Sequence, residues 1–169
     1  MIRPITPEDT SALLALAEAT GLFQPPELQE LSEAIAAALE GTLGSNHTWL
    51  TDEDGGELVS VAYYAPEPMT RGTWNLYLIA VHPQHQRQGR GAALLRHIEQ
   101  TLNVKGERML IVETAGLPSF AGTRAFYRTC GYTEEARIRD FYQAGEDKIV
   151  YRKLLQDATA TYKSENASA

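Results

Sequence analysis

Apolar residues along this chain recur with two different periods. Leu13, Leu14, Leu16 and Ala17, and then Leu28, Leu31, Ile35 and Leu39, fall three and four apart, which is helical spacing. Thr6-Pro7-Glu8-Asp9 opens the first helix with a hydroxyl cap, a proline and acids in the first turn, and Gly21 stops it. Pro25-Pro26 opens the second helix and Gly41 closes it. Residues 1–5 form a short first strand. From His47 the chain turns to strands: 47–51, a hairpin turn at 52–56 supplied by Asp54-Gly55, 57–64, a proline-bearing loop, and a long strand at 73–81. Leu94, Leu95, Ile98 and Leu102 then mark a helix, and residues 109–114 a strand buried on both faces. A Gly/Pro/Ser loop at 115–122 leads to a short helix at 124–130, capped by Thr123 and closed by Gly131. Residues 132–142 and 148–154 pair as a last hairpin around 143–147.

The order is β-α-α-β-β-β-α-β-α-β-β. Early hairpin strands followed by β-α-β-α-β predict an α/β (α+β) domain, with a mixed central sheet and helices on both faces. Residues 156–169 are small and polar without an apolar face, so the expected organisation is one domain at 1–155 and a disordered tail.

Composition narrows the function classes. The 169 residues suffice for one domain with a real core. The net charge of −7 argues against nucleic acid, which is bound by phosphate neutralisation. Yet no acid occurs between Glu67 and Glu99, while Arg71, Arg87, Arg90 and Arg96 all do. One basic window in an acidic chain suits a polyanionic small molecule, with chance clustering as the alternative. A single cysteine, Cys130, permits no internal disulfide, and no apolar run approaches membrane-span length. The expectation is a cytoplasmic protein with no membrane partner. His82, His85 and His97 lack metal-ligand spacing, so no metal is expected.

Within that window, Gln86-Arg87-Gln88-Gly89-Arg90-Gly91 joins the long strand to a helix. The first N–H groups of a helix have no internal partner and carry the positive end of its dipole. Gly89 and Gly91 let an anion approach the backbone, and Arg87 and Arg90 add charge. This is a cradle for a phosphate, or an ordinary turn on a charged surface. It is neither a dinucleotide fingerprint, which needs a third glycine, nor a Walker loop.

Q-x-x-G-x-G after a strand ending in Val-His-Pro resembles the acetyl-CoA-binding motif of the GNAT superfamily of N-acetyltransferases, and the element order matches that family from Ile2 to about Leu155. The resemblance implies the GNAT fold and acetyl-CoA as cofactor. Its pyrophosphate would lie on backbone N–H groups from Arg87, Gln88, Gly89, Arg90, Gly91 and Ala92. Its pantetheine arm would pair like an extra strand with Ile79, Ala80 and Val81.

Amide-forming acetyl transfer has two proton problems. An alkyl amine is mostly protonated at neutral pH, and freeing its lone pair costs roughly 4–5 kcal/mol. A base relieves this, and an acid stabilises the departing thiolate. Phe126-Tyr127-Arg128-Thr129-Cys130-Gly131-Tyr132 resembles the family's F-Y-x-x-x-G-F/Y signature, which makes Tyr127 the candidate acid; the alternative is a packing aromatic. Glu113 ends an apolar strand, where a carboxylate is costly unless paired or functional. It is the candidate base, with a salt bridge to an arginine as the alternative. No nucleophile is evident, so transfer would be direct. Asp140, Tyr142, Glu146 and Asp147 form either a solvated turn or an amine-attracting rim, and their run resembles the tail of the ribosomal-protein alanine acetyltransferases.

The first reading is therefore acetyl transfer to a primary amine of a small molecule. The others are transfer to a peptide N-terminus and a non-catalytic acyl-CoA-binding module. A second copy of the chain stays open as a partner.

Overall fold

A computed structural model describes residues 1–44 and 46–155. The tail expected to be disordered lies outside them. The described residues fall into two compact units: Met1–Pro66 with Leu76–Ile98, and Glu67–Asn75 with the chain from Glu99 onward.

In the first unit, β1 (Ile2–Pro4) pairs antiparallel with β2 (Thr48–Asp54), and β2 with β3 (Glu57–Pro66). The strand order runs β1-β2-β3-β4, with β4 at Thr73–Val81. Helix α2 (Pro25–Leu39) and the end of α1 (Thr10–Thr20) fall where the sequence predicts, but α1 starts at Thr10, because Pro7–Asp9, expected as its first turn, forms a separate 3-10 turn. The β2–β3 turn is tighter than the five residues expected, because Gly55 (φ 58°) and Gly56 (φ 89°) are both left-handed and turn the chain in two. Leu13, Leu16 and Ile35 of the helices pack with Trp49, Val61 and Ala80 of the strands into one core cluster.

A three-residue turn at Pro7–Asp9 precedes α1, and its capping box is reinforced from outside. Asp9 accepts from the Thr6 backbone N–H at 2.7 Å and from Arg3 Nη1 at 2.7 Å, and Arg3 also reaches Glu53 at 2.9 Å. One arginine thus ties β1, the start of α1 and β2 together.

In the second unit the order is β5-β7-β6, with β5 at Met109–Ala115, β6 at Thr133–Gln143 and β7 at Glu146–Leu154, all pairings antiparallel. Leu110, Val112, Ile149 and Tyr151 are buried on one face of β5 and β7. The other face, with Ile111, Glu113, Lys148 and Val150, is only half-buried, so β5 is not covered equally on both sides as its apolar run suggests. Helix α4 begins at Ala121 and not after Thr123, and Thr123 does not cap it. The 3-10 turn Pro118–Phe120 feeds straight into the helix, and Arg124 Nη1 fastens the preceding loop by donating to the carbonyls of Ala115 and Leu117. Helix α3 (Arg90–Val104) and β4 pass from one unit into the other along the chain.

Candidate functional site

The cradle belongs to the first unit. After β4 a turn at Pro83–His85 is capped by the His82 side chain, which accepts the Gln84 N–H at 3.3 Å. The next residues reverse the chain through two left-handed positions, Arg87 (φ 58°) and Gly89 (φ 80°), and α3 starts at Arg90. Alternation of αR and αL residues turns successive N–H groups toward one side; here Arg87 and Gly89 are left-handed and Gln86 is extended. A side chain at Gly89 would meet nothing within 4 Å, so this glycine is needed for its conformation, and the space over it is open. The Gly89 carbonyl accepts the first helical bond, from Ala93 at 2.9 Å.

The two arginines of the loop differ. Arg87 is exposed and makes no ion pair among the described residues. Arg90, expected to add charge to the cradle, has its guanidinium ion-paired. Its guanidinium binds Asp52 at 3.1 Å and Asp54, both on β2. Asp52 is almost fully buried, and a buried carboxylate claims a nearby cation strongly. Gln88 Nε2 donates to the Gln84 carbonyl at 2.8 Å, which closes the loop on itself.

Ile79, Ala80 and Val81, the expected partners of a pantetheine arm, form the end of β4 in the same unit. The Val81 carbonyl accepts Gln86 Nε2 at 3.1 Å.

Tyr127 and Glu113 belong to the second unit and lie on opposite faces of its strands. Tyr127 is the buried residue of α4, and its ring stands 5.9 Å from Tyr151 and 5.8 Å from Tyr132. Tyr151 pairs with Val112, one residue before Glu113, and successive side chains of a strand point to opposite faces. Burial, with the Cys130 sulfur nearby, pushes the Tyr127 phenol well above the ordinary tyrosine range, so it holds its proton at neutral pH. Among the described residues its hydroxyl has no hydrogen-bond partner, unlike that of Tyr132, which donates to Glu99 at 2.9 Å. The aromatic is therefore packed through its ring while its proton is uncommitted.

Glu113 is half-exposed and ion-paired, with Lys148 Nζ 2.7 Å from Oε2. The pairing expected as the alternative thus exists, with a lysine in place of an arginine. Around it stand Phe141, whose ring lies 3.8 Å from the Lys148 ammonium, and Tyr142, set edge-on to Phe141 at 5.0 Å. Burial, then Glu113 and Glu146, raise the Tyr142 phenol. Asp140 and Asp147 leave the proposed rim: Asp147 accepts from Arg137 and the Asp140 N–H, and Asp140 accepts from the Gly145 N–H at 2.6 Å. They build the bulge that sets Phe141 and Tyr142 beside Lys148.

Lys148 and Phe141 carry no mark in the sequence as site residues. Only the β5–β7 register, which the sequence does not reveal, puts Lys148 beside Glu113.

A family model described as "Acetyltransferase (GNAT) domain" matches residues 44–134, more than half of the chain. A crystal structure of a GNAT-family protein from Desulfovibrio desulfuricans is 34% identical, with a TM-score of 0.87 over 92% of this chain and 99% of that one. The chain belongs to the GNAT acetyltransferase family. Among curated relatives, the [ribosomal protein bS18]-alanine N-acetyltransferase of Escherichia coli (strain K12) is 37% identical over 78 residues, 44% of this chain and 51% of the relative. The match thus spans about half the length of that relative. An aminoglycoside 6'-N-acetyltransferase complexed with coenzyme A shares the fold at 14% identity, with a TM-score of 0.73 over 93% of this chain and 98% of that one. Among the described residues no helix is long and apolar enough to cross a membrane.

Proposed function

We propose that residues 1–155 act as one acetyltransferase domain, which moves an acetyl group from acetyl-CoA to a primary amine by direct transfer. The observation that carries this reading is the loop after β4 in a GNAT chain, where Arg87 and Gly89 are left-handed and the space over Gly89 is open at the start of α3. The residues present fit the coenzyme: N–H groups from Arg87 to Ala92 and the Arg87 guanidinium, unpaired among the described residues, suit a pyrophosphate. Acetyl-CoA supplies the acetyl group as an activated thioester. Glu113 accepts the proton that the attacking amine must lose. Tyr127, protonated and without a partner for its hydroxyl among the described residues, donates a proton to the departing sulfur.

The acceptor is read first as an amine of a small molecule. The curated relatives named for alanine of bS18 favour a peptide N-terminus as the second reading. Their match leaves more than half of this chain unaligned, so it does not carry their acceptor with it. A panel of small amines and peptides, scored by release of coenzyme A from acetyl-CoA, decides both points. Release that depends on an added amine supports transfer, and the preferred acceptor names the class. No amine dependence with intact acetyl-CoA binding leaves a binding module.

A further inference from the structure

We propose that Lys148 is a positioning residue for Glu113, an inference that rests on Glu113 being the proton acceptor. The register pairs Glu113 with Val150 and Lys148 with Ala115, so the two are diagonal neighbours on one face of β5 and β7. Diagonal neighbours in a sheet meet only when both side chains are long. Here they meet at 2.7 Å, through Lys148 Nζ and Glu113 Oε2.

The anchor is better enclosed than the group it holds. The Lys148 side chain is 13% exposed and that of Glu113 32%. Phe141 closes over the ammonium at 3.8 Å, and Tyr142 braces Phe141 edge-on. A cation held between a carboxylate and an aromatic face has little freedom to move. Phe141 is there because of the bulge between Ile138 and Gln143, where Asp140 is left-handed (φ 53°) and bonded to Asp147 and Gly145. The chain thus builds a local irregularity whose result is a covered Lys148.

Ion pairs near a surface add little stability, because ordering two long side chains offsets most of the attraction. The consequence of this pair is geometric. Lys148 fixes Oε2, and Oε1 takes no hydrogen bond from the described residues. One carboxylate oxygen is clamped so that the other keeps a constant direction. A proton acceptor held this way does not reorganise when the proton arrives.

The experiment compares Glu113→Gln, Lys148→Met, Lys148→Arg and the double variant Glu113→Gln/Lys148→Met in full-length protein. Each is read for kcat and KM with the best acceptor of the panel and for acetyl-CoA affinity by calorimetry. Lys148→Met should lower kcat by about 10²-fold, with KM and acetyl-CoA affinity unchanged. Lys148→Arg keeps the charge and should return most of the rate. The double variant should be no slower than Glu113→Gln alone, because Lys148 acts through Glu113. If Lys148→Met melts early, the Lys148→Arg variant and the double-variant comparison in Lys148→Gln carry the test. Full rate in Lys148→Met beside a slow Glu113→Gln overturns the positioning role alone, as does a loss that adds to that of Glu113→Gln. Full rate in Glu113→Gln overturns the base assignment, and the role of Lys148 with it.

Discussion

Arg90 Nη1 lies 3.1 Å from Asp52 Oδ2, and the same guanidinium holds Asp54, so the guanidinium of the second loop arginine is engaged by β2. Arg90→Ala should cost about 1–3 kcal/mol of stability, because it strips a partner from the buried Asp52. Arg87→Ala should leave the melting temperature unchanged and weaken acetyl-CoA binding by about tenfold, one charge-assisted contact being worth 1.5 kcal/mol or more. Thermal melts and calorimetry on both variants check the division. The reverse pattern, with Arg90→Ala the poorer binder and Arg87→Ala the less stable, would contradict it.

Gly91→Glu places a carboxylate in the first turn of α3, among the N–H groups assigned to the pyrophosphate. It should abolish acetyl-CoA binding in a folded domain, because two anions compete for the same donors. Unchanged affinity by calorimetry in a folded variant would remove the phosphate assignment.

The pairing with Arg3 holds the Asp9 carboxyl at about 2, against an ordinary 3.8. A carboxyl whose folded-state value is depressed adds stability that is fully present above about pH 4 and is lost as pH falls toward 2. The contribution is about 2 kcal/mol at most, since Arg3 is itself a quarter exposed. Asp9→Asn should lower stability at pH 7 and flatten its acid dependence between pH 4 and pH 2. Parallel denaturation curves for wild type and variant across that window would contradict the assignment.

Much of the fold was legible because its signals are local. Pro25-Pro26 and the glycines at 21 and 41 bound α2 and the end of α1 without reference to any distant residue, while Thr6-Pro7-Glu8-Asp9 forms a 3-10 turn ahead of α1. The passage from β4 through the glycine-bearing loop into α3 was legible for the same reason: strand, loop and helix are contiguous in sequence. What stayed hidden was long-range. Arg90 is far in sequence from Asp52, and Lys148 from Glu113, and neither partner follows from spacing. The cap at Thr123 was misplaced because Pro118–Phe120 reads as loop, although its 3-10 turn already has helical handedness and extends α4 backward. In the sequence, Asp140, Tyr142, Glu146 and Asp147 fall together as one group at the last hairpin. Asp140 and Asp147 are bound to backbone N–H groups, while Tyr142 stands near Glu113 and Glu146, and only the bulge separates the two sets.

Single-turnover transfer by Tyr127→Phe tests the central claim most directly. The ring that packs against Tyr151 and Tyr132 is kept, and only the hydroxyl, which has no partner among the described residues, is removed. If Tyr127 donates the proton to the departing sulfur, the rate on the best acceptor should fall by roughly 10²–10⁴-fold. Acetyl-CoA affinity and melting temperature should stay near those of wild type, because the lost interaction is made in the transition state. Wild-type turnover in the folded variant would contradict the account.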